Sequence, residues 1–285
     1  MNPEGIRRTL RDSGGVIPAS RVDDLRGANT VEEFMLGLLD VLKARALAPV
    51  SDFSVGAAGL GASGAMYPGV NLEFPGLSLM YCVHAEQAVV TNALMAGENS
   101  LSMLSVSAPP CGFCRQFLYE LNSADELRIL LPNHGTRLLG DFLPEAFGPL
   151  DLDNPHRLMS PERGAVKLTE REPAAISETL RREALRATGK SYAPYSGGRA
   201  GVALRTNSGG VFSGAYVENA AFNPTISPMA GALANLRIAG GDFTDIAEAV
   251  LMETESEISQ LQVCAVILAS VCDIELKHSA VEVEL

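Results

Sequence analysis

Two short stretches carry residues whose types and spacing could do chemistry: Cys82-Val83-His84-Ala85-Glu86-Gln87 and Pro109-Pro110-Cys111-Gly112-Phe113-Cys114-Arg115-Gln116. Together they offer an imidazole, a pair of thiols in Cys-x-x-Cys spacing and a carboxylate. A structural zinc is usually closed by four protein ligands, whereas a catalytic zinc keeps three and leaves the fourth position to water. His84, Cys111 and Cys114 read as such a set of three. Two thiolates cancel the formal charge of the ion and weaken it as a Lewis acid, so a water at the open position needs a nearby base. Glu86, two residues after the histidine and not needed as a ligand, is placed to be that base. The expected cofactor is one zinc ion per chain.

The elements that must position these groups follow from the surrounding pattern. One helix is expected from His84 to Ala96 and a second from Cys111 to Leu121, each opening at a ligand, where unpaired N–H groups and the positive end of the helix dipole favour thiolate over thiol. Upstream, Thr30 with Glu33 reads as a capping box that opens an amphipathic helix from Val31 to about Ala46, with Phe34, Leu38, Leu39 and Leu42 on its core face. Residues 53–60 and 65–72 alternate around Gly61-Ala62-Ser63-Gly64 as a β-hairpin. Its second strand runs out through Asn71 and Glu73, which project to one side. That pair could bind neighbouring sugar hydroxyls or could be a solvated strand end. Further strands are expected at Ser102–Ser107 and Leu127–Leu131. The alternation implies an α/β domain with helices on both faces of a mixed sheet, and crossovers of this kind bring helix N-termini to one sheet edge, where ligands bind.

Composition bounds the function. The 285 residues suit two domains or one duplicated domain. Lys plus Arg number 22 against 34 Asp plus Glu, a formal net charge of −12, which repels a phosphate backbone; a small neutral substrate fits better than nucleic acid. No apolar segment has the length of a signal peptide or a membrane span, so no membrane partner and a cytoplasmic location are expected. Five cysteines with one Cys-x-x-Cys suggest metal chemistry in a reducing compartment and not a disulfide framework.

The pattern then begins again. Sliding the chain by 145 positions sets Ala48, Pro49, Ser51, Gly56, Ala58, Ser63, Gly64, Gly69 and Glu73 on identical residues at Ala193, Pro194, Ser196, Gly201, Ala203, Ser208, Gly209, Gly214 and Glu218. These identities read as a duplicated domain, with the shared glycines at turns. The same offset puts Met229 opposite His84 and Gly231 opposite Glu86, and residues 220–262 contain no His or Cys, so the second copy is expected to have lost the metal. The chain divides into an N-terminal segment (1–30), a catalytic domain (31–132), a packed linker (133–171) carrying Phe142 and Phe147, and a degenerate domain (172–285). Cys264 lies in an apolar run, Val263 to Val271, read as a strand, with Cys272 just beyond it, and both read as core or surface thiols; His134 and His156 read as surface or hydrogen-bonded residues and His278 as exposed.

The stretches APVSDFSVGAAG, GVNLEFPG, VHAEQ, APPCGFCRQFL, FLPEAFGPLDL and YVENAAFNPT resemble the two-domain homodimeric zinc-dependent cytidine deaminases over about residues 30–270, and His-x-Glu with Pro-Cys-x-x-Cys matches a known signature of zinc deaminases. The resemblance implies a duplicated three-layer αβα domain with a mixed central sheet. It implies hydrolytic deamination of cytidine and 2′-deoxycytidine to uridine and 2′-deoxyuridine with release of ammonia, a step of pyrimidine salvage. It assigns His84, Cys111 and Cys114 to zinc, Glu86 to the proton shuttle, Asn71 and Glu73 to ribose, and Phe53 to the pyrimidine face. It also implies a homodimer in which Phe147, and the segment from Glu218 to Pro224, reach the partner's site. Two positions depart from the family: Ala108 stands where a larger residue is expected on the sugar side, and Phe113 stands where a polar neighbour of the thiolates is common. The competing readings are a deaminase of bases in single-stranded nucleic acid, opposed by the charge, and a non-catalytic zinc protein, opposed by Glu86.

Overall fold

The computed structural model describes residues 2–161, 166, 168–170 and 176–284. Its helices are α1 (Pro3–Asp12), α2 (Ala19–Arg26), α3 (Val31–Lys43), α4 (Ala85–Ala96), α5 (Gly112–Leu118), α6 (Glu178–Lys190), α7 (Pro228–Ala239) and α8 (Leu261–Ala269). Its strands are β1 (Gly56–Gly61), β2 (Met66–Val70), β3 (Leu101–Val106), β4 (Arg128–Leu131), β5 (Gly135–Leu138), β6 (Leu168–Glu170), β7 (Ala200–Thr206), β8 (Val211–Ala215), β9 (Ile246–Thr254) and β10 (Leu276–Val283).

Two mixed five-stranded sheets repeat one topology, in the orders β2-β1-β3-β4-β5 and β8-β7-β9-β10-β6. In each, a hairpin pairs antiparallel with the third strand, which pairs parallel with the fourth. The fold is therefore the duplicated α/β domain that the repeat implies. The fifth strand differs in origin. β5 follows β4 directly, whereas β6 precedes the whole second half and folds back on β10. Both strands fall within residues 133–171, so the stretch read as a linker supplies an edge to each sheet. The boundary read between residues 171 and 172 lies outside the described residues.

The shared glycines explain how helices sit on these sheets. A Cβ on Gly56 would fall 2.7 Å from the Leu39 carbonyl oxygen of α3, and one on Gly69 would fall 2.1 Å from the Ala85 carbonyl oxygen of α4. Gly69 pairs with Ala57, so it faces the side opposite Gly56, and α3 and α4 cover opposite faces. Gly201 against α6 and Gly214 against α7 repeat the arrangement. Only Gly64 and Gly209 of these are turn glycines, with φ of 81° and 90°. The others permit close helix packing, which is a different reason for identity from the one the sequence suggests. α4 and α7 lie between the two sheets and pack on each other, and one continuous core joins both halves.

Three further differences have physical causes. Two helices occupy the polar first thirty residues; α1 is capped by Asn2, opens at Pro3 and buries only Ile6, Thr9 and Leu10, too narrow a stripe to stand out by periodicity. The run Val263–Val271 is largely helical, in α8, not a strand; an apolar run without alternation does not separate the two. The bridges Leu72–Val83 and Val217–Ile226 bracket a loop two residues shorter in the second half. Ser227, not Met229, therefore caps α7 as His84 caps α4, and Met229, not Gly231, takes the place of Glu86. No helix among the described residues is long and apolar enough to cross a membrane.

Candidate active site

The site forms where α4 and α5 start. His84 is the N-cap of α4 with extended backbone (φ −86°, ψ 150°), and its N–H donates to Gln87 Oε1 at 3.1 Å. Cys111 is the N-cap of α5 and Cys114 sits in its first turn. Arg115 pins the entry to α5 by donating through Nε to the Pro110 carbonyl at 2.7 Å and through a terminal nitrogen to the Phe142 carbonyl at 3.0 Å. His84 Nδ1 then lies 3.6 Å from Cys111 Sγ and 3.3 Å from Cys114 Sγ, and the two sulfurs lie 3.7 Å apart.

This donor triangle fits zinc. With bonds of ordinary length to sulfur and nitrogen, a tetrahedral site has S···S edges of about 3.8 Å and S···N edges of about 3.6 Å. Without an ion the two thiols resist losing both protons. Cys111 is lowered to about 5, first by its hydrogen bond with Cys114 and then by the amides of the α5 N-terminus against the cost of burial. Cys114 is pushed up by that hydrogen bond and by burial. A pair of thiolates this close needs a cation between them. The described residues hold no second group of this kind, and Cys82, which the sequence reading passed over although it stands two residues before His84, is not part of it.

Glu86 follows in the first turn of α4. Its carboxyl group is buried, hydrogen-bonded to Cys114 and outside the ligand group. Burial raises its proton affinity, opposed by its own backbone amide, Cys114 and His84. A cavity of about 380 Å³ opens in front of it, lined also by Phe53, Asn71, Glu73, Ala108 and Pro109. Phe53 is 61% exposed at its rim. Asn71 accepts from the Val55 N–H at 2.7 Å and donates to the Phe53 carbonyl at 2.9 Å, so it sets the strand end that carries Phe53.

Glu73 has a structural task beside any other. One carboxylate oxygen accepts the Val50 and Ser51 N–H groups at 2.8 and 3.1 Å, and the other accepts the Ser51 hydroxyl. Burial raises its proton affinity, but these bonds outweigh it and hold the group below its ordinary range. Glu218 makes the same clasp on Tyr195 and Ser196 in the second half, which accounts for the repeated Ser and Glu. Tyr216 stands at the position of Asn71, so the amide belongs to the first half alone.

Phe113 is not a lost contact. Its side chain offers the thiolates no hydrogen bond, but its ring stacks on His84 at 5.3 Å with 24° between planes and so packs the imidazole in place. Phe147 does not line the cavity; it is 47% exposed, and its carbonyl accepts from Gln116 Nε2 at 2.8 Å. His134, His156 and His278 are exposed and apart from the ligand group. The sequence reading missed Gln87, although a residue able to accept at the third position of a helix is the signal a capping box provides.

Two family models, each described as the cytidine and deoxycytidylate deaminase zinc-binding region, match residues 28–128 and 139–265. A cytidine deaminase of Shewanella pealeana is 40% identical over 277 residues, covering 96% of this chain and 92% of that protein. A cytidine deaminase of an Enterobacter species is 45% identical over 240 residues, covering 84% and 79%. Among solved structures, a cytidine deaminase from Mycobacterium tuberculosis is 35% identical, covers 42% of this chain and 99% of its own, and has a TM-score of 0.38.

Proposed function

The chain belongs to the cytidine deaminase family and has the activity of a zinc-dependent hydrolase acting on a nucleoside, and we propose the following roles for its residues in that reaction. His84, Cys111 and Cys114 would hold the zinc, which when bound would supply the Lewis acidity for making water a nucleophile near neutral pH. Glu86 takes one proton from the attacking water and passes it to N3 of cytosine as the new C4–O bond forms. It then carries the second proton to the exocyclic nitrogen, the C4–N bond breaks, and ammonia leaves with uridine as the other product. 2′-Deoxycytidine yields 2′-deoxyuridine by the same steps. The observation that carries this reading is a buried carboxyl group beside a three-ligand metal set to which it does not belong.

Phe53 packs on the pyrimidine, and Asn71 and Glu73 bind the sugar; that all three line the cavity supports this. Glu73 keeps one of its four acceptor sites outside the clasp. The chain acts as a homodimer in which Phe147 reaches the partner's cavity. Its exposure, and that of Met80, Leu150 and Phe222, supports such an assembly. Five free cysteines, three of them at the site, suit the reducing cytoplasm.

The test is the ultraviolet absorbance of cytidine with wild type and with Glu86→Gln, metal content determined on both. The expected result is loss of the cytidine band with wild type alone, with equal zinc in both proteins. Turnover by Glu86→Gln near the wild-type rate would sink the assignment of Glu86.

A further inference from the structure

One short segment of the metal-free half touches both helices that carry the metal ligands. Pro224 O accepts from Gln87 Nε2 of α4 at 2.9 Å. Asn219 Nδ2 donates to Gln116 O of α5 at 3.1 Å, and the Ala220 N–H donates to Glu120 Oε2, just beyond α5, at 2.9 Å. Glu120 is fully buried, and its other oxygen accepts the hydroxyls of Tyr192 and Tyr195 at 2.7 and 2.5 Å, both from the second half. The segment is itself fixed. Asn219 Oδ1 accepts the Ala221 N–H at 3.0 Å, Thr225 N–H donates to Phe222 O at 2.9 Å, and Phe222 is held at a φ of 60°. A non-glycine residue stays there only where its surroundings over-determine it.

Gln87 is the link to the histidine. Its Oε1 accepts the His84 N–H while its Nε2 donates to Pro224 O, so one buried carboxamide joins a ligand's own backbone to the second half. Only a side chain with an acceptor and a donor on one planar group satisfies both. We propose that Gln87 is a positioning residue, through which residues 219–224 of the metal-free half set the His84 imidazole relative to the two cysteine sulfurs. Asn219 and Glu120 hold α5 against the same segment, so the distance between the two helix starts is set by a part of the chain that has no ligand. The second copy thus tunes a metal site in the first, a task that needs its fold and not its chemistry. Outer partners of metal ligands commonly act in this way.

This rests on the reading of His84, Cys111 and Cys114 as ligands, and the experiment separates the two. Full-length wild type, Gln87→Met and Asn219→Ala are loaded with cobalt(II), and the visible ligand-field bands and the rate of cobalt loss to a chelator are measured beside Tm. Gln87→Met fills the space without either hydrogen bond; Asn219→Ala perturbs the clamp from the other half, and serves if Gln87→Met does not fold. The expected result is a tetrahedral thiolate spectrum in wild type, displaced bands in both variants, and cobalt loss faster by about ten-fold or more. Unchanged bands and loss rates with a lowered Tm would make these contacts merely structural and overturn the proposal. A wild type that takes up no cobalt would overturn the ligand reading instead.

Discussion

Ser227 Oγ lies 3.6 Å from Cys264 Sγ, at the start of α7 and in the first turns of α8, where the first half has His84 Nδ1 3.3 Å from Cys114 Sγ. A hydroxyl replaces the imidazole at the helix cap, Gln260 replaces Cys111 at the other cap, and the remaining thiol has moved one residue along its helix. Burial pushes the Cys264 thiol up to about 12, the state of a core residue and not of a ligand. Metal analysis is therefore expected to give one zinc per chain in wild type and in Cys264→Ser, and close to none in Cys114→Ser. Zinc retained by Cys114→Ser would place a site in the second half.

The same comparison shows what could be read from the chain beforehand. The metal-ligand group and the duplication were legible because each is carried by residue type at fixed spacing: His84 with the Cys111-x-x-Cys114 pair, and Gly56 with Gly201. The register of the second site was not, because two residues are missing from a loop that no identity spans. Nor was the clasp of Glu73, since its partners are the backbone N–H groups of Val50 and Ser51, which every sequence possesses. Gln87 and Pro224 stand 137 positions apart and meet only because α4 and α7 share one layer.

Glu98 makes acid stability measurable at a point remote from the chemistry. It is buried against Gly61, where a Cβ would lie 2.0 Å from its oxygen, and it accepts from the Tyr67 hydroxyl at 3.0 Å, the Asn99 N–H at 2.9 Å and both donors of Ser63. Burial raises its proton affinity, but the Ser63, Asn99 and Tyr67 bonds outweigh it and the net is lowered. A carboxylate depressed in the folded state stabilises fully above its unfolded pKa, and that stability is lost as pH falls through the folded value. Glu98→Gln is expected to cost about 2 kcal/mol near neutral pH, with the difference from wild type shrinking under acid. Urea unfolding across pH checks it; a difference independent of pH would mean that the carboxylate charge contributes nothing.

If Phe147 completes the partner's site, two inactive chains should repair each other. Glu86→Gln keeps Phe147, and Phe147→Ala keeps Glu86, so a mixed dimer holds one site with both groups intact. Random exchange of equal amounts is expected to restore about a quarter of wild-type activity, since half the dimers are mixed and each has one good site of two. Activity equal to the sum of the separate samples would show that Phe147 serves its own chain or none.

Asn71 and Glu73 both line the cavity, yet their substitutions should separate. Asn71 is tied by two hydrogen bonds, to Val55 and Phe53, and no equivalent amide exists in the second half. Asn71→Ala is expected to raise KM for cytidine by about ten-fold, the value of one lost hydrogen bond to the sugar, and also to lower Tm, because the Val55 N–H and the Phe53 carbonyl lose their partner. Glu73→Gln removes the charge that gathers Val50 and Ser51, and Glu218→Gln removes its counterpart from Tyr195 and Ser196. Both should lower stability by about 2 kcal/mol, because each weakens charge-assisted bonds to two loop amides. Only Glu73→Gln should add a rise in KM beyond what the stability loss explains, since Glu73 lines the cavity and Glu218 does not. Steady-state kinetics beside thermal unfolding of the three variants decides the matter. Equal KM in Glu73→Gln and Glu218→Gln would reduce Glu73 to a clasp and leave Asn71 as the sugar-binding group of the pair.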